Sequence, residues 1–349
     1  MQKCGRVQVF ERSGTEWKLK GETLVGRNSL DQFGYALSLS EDGTRLAVAE
    51  PYFHGAAGDR SGNVRVFDFD GEKWSLVGQE IAGEAAVALF GHSLALAGDG
   101  TRLAVGSPYY DDGVLNLVGR VSIFELEENS WQLVGEALDG QRSLDWFGWS
   151  VDLSQDGNVI CVGAPRNTEY GGYARCFQWK KGAWTQVGSD IINDIGDVQL
   201  SDRFGMAVSL SPDGTRVAIG SPWKDSNGGI RRSGLVAVYE LTEQQNEHDE
   251  WRLLGNEFVG LDPNSKLGSS LDLSGEYLSI GILGLNRVSV HRWTGLCWDT
   301  VTSPLQSDQQ RDDFGYSIAM SNDGTVVIVG ATENSQTGGM GYARVLERL

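Results

Sequence analysis

A Phe-Gly pair, once Leu-Gly, returns along the chain at Phe33-Gly34, Phe90-Gly91, Phe147-Gly148, Phe204-Gly205, Leu267-Gly268 and Phe314-Gly315. The steps are about 57, 57, 57, 63 and 47 residues, and a Trp keeps pace at Trp17, Trp74, Trp131, Trp184, Trp251 and Trp298. A repeat of this length is one supersecondary unit that cannot bury its own apolar faces, so copies must stack. No linker interrupts the series. Residues 1–349 are read as one domain, with units starting near 33, 90, 147, 204, 267 and 314.

Each unit parses into four strands. Strand A follows Phe-Gly and alternates, with Tyr35, Leu37 and Leu39 against Ala36, Ser38 and Ser40; His92, Leu94 and Leu96 repeat the pattern. One face is large and the other small, a period of two that excludes an amphipathic helix. The large face is expected to fill the gap to the neighbouring blade. Asp-Gly turns follow at Asp42, Asp99, Asp156, Asp213 and Asp323, the strongest short hairpin signal. Strand B is nearly all apolar (Leu46-Ala47-Val48, Leu103-Ala104-Val105), as a strand covered on both faces should be. Pro51, Pro108, Pro165 and Pro222 end it. Strand C reads Gly-x-Val-x-Val-Phe or close to it, and the polar outer strand D carries the recurring Trp, read as a wedge between blade rims.

The expected fold is therefore all-β: a single β-propeller of four-stranded antiparallel blades. Strands A, B and D are counted six times but C seven, because the chain starts with C and D and ends with A, B and C. Residues 1–22 are expected to complete the last blade and close the ring, which removes exposed edges. Six blades are expected, with seven, one of them incomplete, as the alternative.

Composition narrows the partners. A formal net charge of -18 repels phosphate backbones and anionic lipid, so neither nucleic acid nor an acidic membrane surface is expected to bind. Forty-seven Gly against 7 Pro fit a turn-rich β protein. No apolar run of membrane-spanning length and no signal-peptide pattern is present. Cys4, Cys161, Cys176 and Cys297 form no metal-binding pair. Cys161 and Cys176 fall on consecutive strands; they are expected as small buried residues, although a bridge is conceivable.

The stretch from Phe90 to Pro108, Phe-Gly-x-x-Leu-x-Leu-x-x-Asp-Gly-x-x-Leu-Ala-Val-Gly-Ser-Pro, resembles the FG-GAP repeat of integrin α-subunit propellers. Phe147 to Pro165 and Phe204 to Pro222 match it as well, and the resemblance covers nearly the whole chain. The turn from Ser211 to Thr215 is also similar to hairpins of WD-repeat-like propellers. The resemblance implies adhesion or ligand binding through the loops, usually outside cells, by a monomer or a module of a larger protein. The family's calcium loop, Asp-x-Asp-x-Asp-Gly, has no counterpart here. Leu39-Ser40-Glu41-Asp42-Gly43 offers too few carboxylates for calcium, so no metal site is carried over and no cofactor is expected.

Variable loops on a rigid repeat are where binding resides. In a four-stranded blade the B–C and D–A loops emerge on one face. The B–C loops hold Tyr52, Phe53 and His54, then Tyr109, Tyr110, Asp111 and Asp112, then Tyr170, then Trp223 and Asp225. Aromatics beside carboxylates suit sugar faces, cationic side chains or a protein hot spot. The recurring Asp31, Asp145, Asp202 and Asp312, two residues before Phe-Gly, are expected as backbone caps. Asp152 and Asp272, on the small face of strand A, are candidates to line the central channel. The function expected is non-catalytic recognition of a protein or glycan partner. The alternative is a polysaccharide hydrolase or lyase with carboxylates at the channel mouth, although the four His, His54, His92, His248 and His291, lack metal-ligand spacing. The loop from Glu243 to Glu250 is read as a solvated insertion.

Overall fold

A computed structural model describes residues 4–193, 202–226, 228–242, 249–301, 303–307, 309, 312–332 and 341–347; most of the Glu243–Glu250 loop, His248 included, lies outside them. The described chain is all-β apart from one 3₁₀ turn, Leu283–Leu285, and contains no helix long and apolar enough to cross a membrane. Its contacts gather into two units: Met1–Gly157 with Trp179–Trp184, and Asn158–Gln178 with Thr185–Leu349. The fold is a six-bladed β-propeller.

In the first unit, one blade runs A Leu37–Leu39, B Arg45–Glu50, C Asn63–Phe69 and D Trp74–Leu76. The next runs Ser93–Leu96, Arg102–Ser107, Arg120–Glu127 and Ser130–Leu133. Neighbours are antiparallel in the order A-B-C-D. The second unit repeats this at Ala207–Leu210, Arg216–Ser221, Leu235–Thr242 and Glu250–Leu253, and again from Leu267 to Thr300. It ends in the three strands Ser317–Met320, Val326–Ala331 and Tyr342–Glu347. At the N-terminus, Arg6–Val7 pairs with Leu24–Val25 and Phe10–Ser13 with Glu16–Leu19.

Each complete blade shows a short fifth segment, such as Ile81–Ala82, beside strand C. It is strand D continued. Phe67 faces Leu76 whereas Val64 faces Ile81, so D carries two extra residues between the pairs. The same offset separates Phe124↔Leu133 from Val121↔Leu138, and Tyr239↔Leu253 from Val236↔Phe258. Four strands are thus present, the outermost broken by a bulge.

The bulge creates the seat for the recurring Trp. Gly78, at φ +67, leaves bare backbone on which Trp131 of the next blade lies, and a Cβ there would sit 3.0 Å from Trp131 Cδ1. The indole N–H donates to the Val77 carbonyl at 3.2 Å. Trp74 bonds Lys20 O, Trp184 bonds Val134 O, Trp251 bonds Val187 O and Trp298 bonds Leu254 O in the same way. The wedge read from the sequence is therefore also a hydrogen-bonded clasp, each worth roughly 1.5–3 kcal/mol in burial alone.

Phe-Gly makes a second inter-blade seam. Phe90 forms a parallel bridge with Gly62, just ahead of strand C in the preceding blade, and Phe147 with Gly119, Phe204 with Gly172 and Leu267 with Gly234 do likewise. All four side chains are buried. The Asp-Gly turns make a third: Asp42 accepts from Ser40 Oγ, Thr44 N and Thr44 Oγ1, and Arg45, which follows, donates to Gly100 O in the neighbouring turn at 2.9 Å. Arg102 reaches Gly157 O at 3.0 Å in the same manner.

Two expectations need correction. Leu94 and Leu96 of the second blade are buried against the first blade, as read. Their counterparts Leu37 and Leu39 are 49% and 45% exposed. In addition, Cys161 and Cys176 are joined as a disulfide. They are register partners on strands B and C, directly opposite each other, and both side chains are fully buried.

Candidate functional site

The B–C loops bond to the D–A loops that follow them. Val87 N donates to Asp59 O and Leu89 N to Arg60 O, while Leu144 N donates to Asn116 O and Trp146 N to Leu117 O. In the second unit Asn264 N bonds Arg231 O and Lys266 N bonds Arg232 O. Within each unit the two loop sets are therefore joined backbone to backbone. The residue just before each Phe-Gly or Leu-Gly, Gln32, Leu89, Trp146, Arg203, Lys266 or Asp313, has φ between 52 and 63°. A non-Gly residue costs about 1 kcal/mol there, so this loop backbone is held by its surroundings rather than by preference.

In the first unit an unbroken series of rings crosses this surface. Tyr52 meets Tyr35 at 6.4 Å between centroids, and Tyr35 meets His92 at 5.4 Å. His92 meets Trp149 at 4.3 Å, Trp149 stacks on Trp146 at 5.0 Å and 14°, and Trp146 meets Tyr109 at 5.1 Å. Tyr35 is 43% exposed and the other five are half-buried. Tyr35, His92 and Trp149 occupy one repeat position, the residue after Phe-Gly. There the chain is still in the turn before strand A, with Tyr35 N bonded to Gln32 O, His92 N to Leu89 O and Trp149 N to Trp146 O.

His92 orders the middle of the belt. Its Nδ1 lies 3.2 Å from the Trp149 carbonyl, which only accepts, so Nδ1 carries the proton and Nε2 accepts from the Tyr35 hydroxyl at 3.3 Å. Burial lowers its pKa to about 4, only partly opposed by the Trp149 carbonyl. The ring is neutral near pH 7, and so is the whole belt.

The other sequence-derived candidates are distributed as follows. His54 Nδ1 lies 2.6 Å from Asp59 Oδ1 in an exposed loop pair. Asp111 accepts from Gly113 N; Asp112 accepts from Val114 N and Leu115 N, and those backbone bonds lower its pKa. Tyr110 lies under the Arg120 guanidinium at 3.9 Å, which is held by Asp139, beside a cavity of about 50 Å³. Tyr170 N is capped by Asn167 Oδ1. Trp223 is flanked by Arg203 and Arg232 at 5.2 and 4.8 Å. Asp225 accepts from Arg232 N and borders a cavity of about 220 Å³ with Lys224, Ser226, Leu235, Glu257 and Val259. Of the nine loop candidates, Tyr52 and Tyr109 join the belt.

Asp272 accepts from Met320 N at 2.7 Å, tying strand A of its blade to the next. Ser38 and Ser209, at the same repeat position, accept from Leu96 N and Leu273 N. Asp152 accepts from its neighbour's amide, Leu153 N. The recurring Asp caps turns: Asp145 accepts from Gln141 N and Arg142 N, and Asp312 from Ser307 Oγ, Tyr342 Oη and Phe314 N. Asp202 is also buried against Lys224 Nζ at 2.9 Å. Among the described residues, no group of three or more His, Cys, Asp or Glu side chains is placed to hold a metal ion.

No protein-family model matches the chain. Integrin alpha-7 from Rattus norvegicus is 30% identical over 165 residues, 44% of this chain, and the Homo sapiens protein matches to the same extent. The matched segment is 14% of the length of those integrins. Among solved structures, the periplasmic gluconolactonase of Pseudomonas aeruginosa aligns over 97% of this chain and 92% of its own, with a TM-score of 0.57 at 16% identity. The WD40 repeats of RRP9 align over 99% and 89%, with a TM-score of 0.56 at 14% identity. The chain thus has the β-propeller fold, with a weak sequence likeness to integrin α-chains.

Proposed function

We propose that this propeller is a non-catalytic recognition module of FG-GAP type, binding a protein or glycan partner on its B–C/D–A face. The observation that carries this is the belt Tyr52–Tyr35–His92–Trp149–Trp146–Tyr109, six aromatic rings in contact on a loop-built surface. Half-buried aromatics supply contact area at little entropic cost. The Phe-Gly seams and the partial likeness to integrin alpha-7 support the repeat type. The buried Cys161–Cys176 bridge supports an oxidising compartment, outside cells or at their surface. A polysaccharide-cleaving role has less support, because Asp272, a channel candidate for its carboxylates, is committed to the Met320 amide.

The test is an array of extracellular proteins and glycans probed with the wild type and with Trp149→Ala. Partners lost with the variant, while thermal unfolding stays cooperative, support the reading. Partners retained at full strength refute it.

A further inference from the structure

We propose that the second unit carries a binding site for a short acidic peptide segment of a partner protein, built on Trp223 with the cations Arg203, Arg231, Arg232 and Lys266. The site shares no residue with the belt, and its case stands apart from it.

The repeat shows what is unusual here. The hydrogen bonds that join each B–C loop to the following D–A loop bring the same loop positions together in different blades, so their side chains can be compared. In the first blade those positions hold Asp59, Arg60, Val87 and Leu89, and Arg60 Nε lies 3.5 Å from the Asp59 carboxylate. In the next blade they hold Asn116, Leu117, Leu144 and Trp146. Both sets are neutral in sum. In the second unit they hold Arg231, Arg232, Asn264 and Lys266, all cations but one and no carboxylate. The same backbone bonds form with Asn, Leu and Trp in these places, so the scaffold does not require the cations.

The cations are also held in place without being neutralised. Arg232 N donates to Asp225 Oδ1 at 2.7 Å, and the Arg232 carbonyl accepts from Lys266 N at 3.1 Å. The Arg232 guanidinium lies 4.8 Å from the Trp223 ring centre and that of Arg203 5.2 Å from it, both within cation–π range. An indole steadies a guanidinium and leaves its charge intact, whereas a carboxylate would cancel it. Arg231 and Arg232 are exposed, and among the described residues neither they nor Lys266 form an ion pair. Lys224, in the same loop, is buried against Asp202 at 2.9 Å and takes no part.

This chemistry selects the ligand. A guanidinium fork matches the two oxygens of a carboxylate. A long polyanion, whether nucleic acid or a sulfated chain, would extend beyond the patch over a chain of net charge -18 and be repelled there. A short acidic segment sets its few carboxylates on the patch and places little charge elsewhere.

The experiment is fluorescence anisotropy of the wild type with a labelled pool of short peptides rich in Asp and Glu, and with the matching pool in which Asn and Gln replace them. A sulfated oligosaccharide and a single-stranded oligonucleotide, labelled likewise, form the polyanion arm. The acidic pool is expected to bind, and to bind more weakly as salt rises from about 50 to 500 mM. Arg232→Ala is expected to weaken it about tenfold through loss of a charged hydrogen-bond donor. Arg232→Lys, which keeps the charge but not the fork, should recover only part of that loss. Arg60→Ala removes an equal charge at the equivalent position of the first blade and should change the affinity by less than about twofold. Thermal unfolding of each variant checks the fold, and Arg231→Ala replaces Arg232→Ala should the latter fail to fold.

Equal binding of the acidic and amide pools, or equal losses in Arg232→Ala and Arg60→Ala, overturns the inference. Tighter binding of the sulfated chain or the oligonucleotide than of the acidic pool overturns it as well.

Discussion

Replacing Gly62 by Ala tests how far the fold depends on the Phe-Gly seam. Gly62 has φ +86, and a Cβ there would stand 2.1 Å from Phe90 O, 2.7 Å from Phe90 N and 2.8 Å from Phe90 C. All three are backbone atoms, so no rotamer change relieves the contact. Restoring ordinary separation needs Phe90 to retreat by about 1.3 Å. That motion breaks the Phe90 N to Ser61 O bond and lifts a ring that is 4% exposed. About 1 kcal/mol of left-handed strain, about 1 for the hydrogen bond and about 1.5–2.5 for partly unseating Phe90 give a cost of roughly 3.5–4.5 kcal/mol. Gly182 is the internal control: φ is +81 but nothing lies within 4 Å of its Cβ position, so Gly182→Ala should cost only the strain, about 1 kcal/mol. Urea unfolding followed by Trp fluorescence measures both through the midpoint. A Gly62→Ala variant within about 0.5 kcal/mol of Gly182→Ala would show that the seam is not a tight backbone contact.

Trp131→Ala should cost about 3–5 kcal/mol and Trp131→Phe about 1, because Phe keeps most of the apolar burial but leaves the Val77 carbonyl without its indole donor; Trp17→Ala, at a residue already 41% exposed, should cost under about 1 by the same urea assay. Arg102→Ala should cost about 2 kcal/mol, since its guanidinium joins Glu125 to the Gly157 carbonyl in a buried setting. Acid should act in two stages. His92 and His291 are held neutral by burial, each with a pKa near 4, so the stability they contribute is present above about pH 6.5 and is lost as pH falls toward 4. Asp42, Asp213 and Asp323, whose pKa values are lowered by their turn hydrogen bonds, then follow. Asp323, lowered to about 2 by Ser321 and Thr325, contributes above the ordinary carboxylate range and loses that contribution as pH falls toward 2. A pH series of thermal midpoints should lose the upper stage in a His92→Gln, His291→Gln double variant.

The repeat made the blades legible because every copy restates the same alternation, turn and Trp. Where the physics of a position depends on a neighbouring copy, legibility drops. The clasp needed the bulge at Val77-Gly78, which a Val-Gly exit marks but does not explain. The Arg of Asp-Gly-Thr-Arg, at Arg45 and Arg102, is a readable signal whose partner in the next turn is a backbone carbonyl and leaves no trace in the sequence. The belt was hidden differently. Tyr35, His92 and Trp149 extend the strand A alternation on paper, and so read as blade-facing, yet they precede the ladder and leave its face. The signal available was their chemistry, since Tyr, His and Trp replace the Val and Leu found two and four residues later. The disulfide depended on register: consecutive strands bring Cys161 near Cys176, and only the pairing Cys161↔Cys176 makes them direct partners.

Hydroxyl-radical footprinting of the propeller, alone and saturated with its partner, addresses the recognition surface most directly. Oxidation of Tyr35, Tyr52, Tyr109, Trp146 and Trp149 should fall together on binding, while Trp17, far along the sequence and exposed at 41%, should be modified at an unchanged rate. Protection confined to other side chains, with the five belt residues oxidised as in the free protein, would contradict the account.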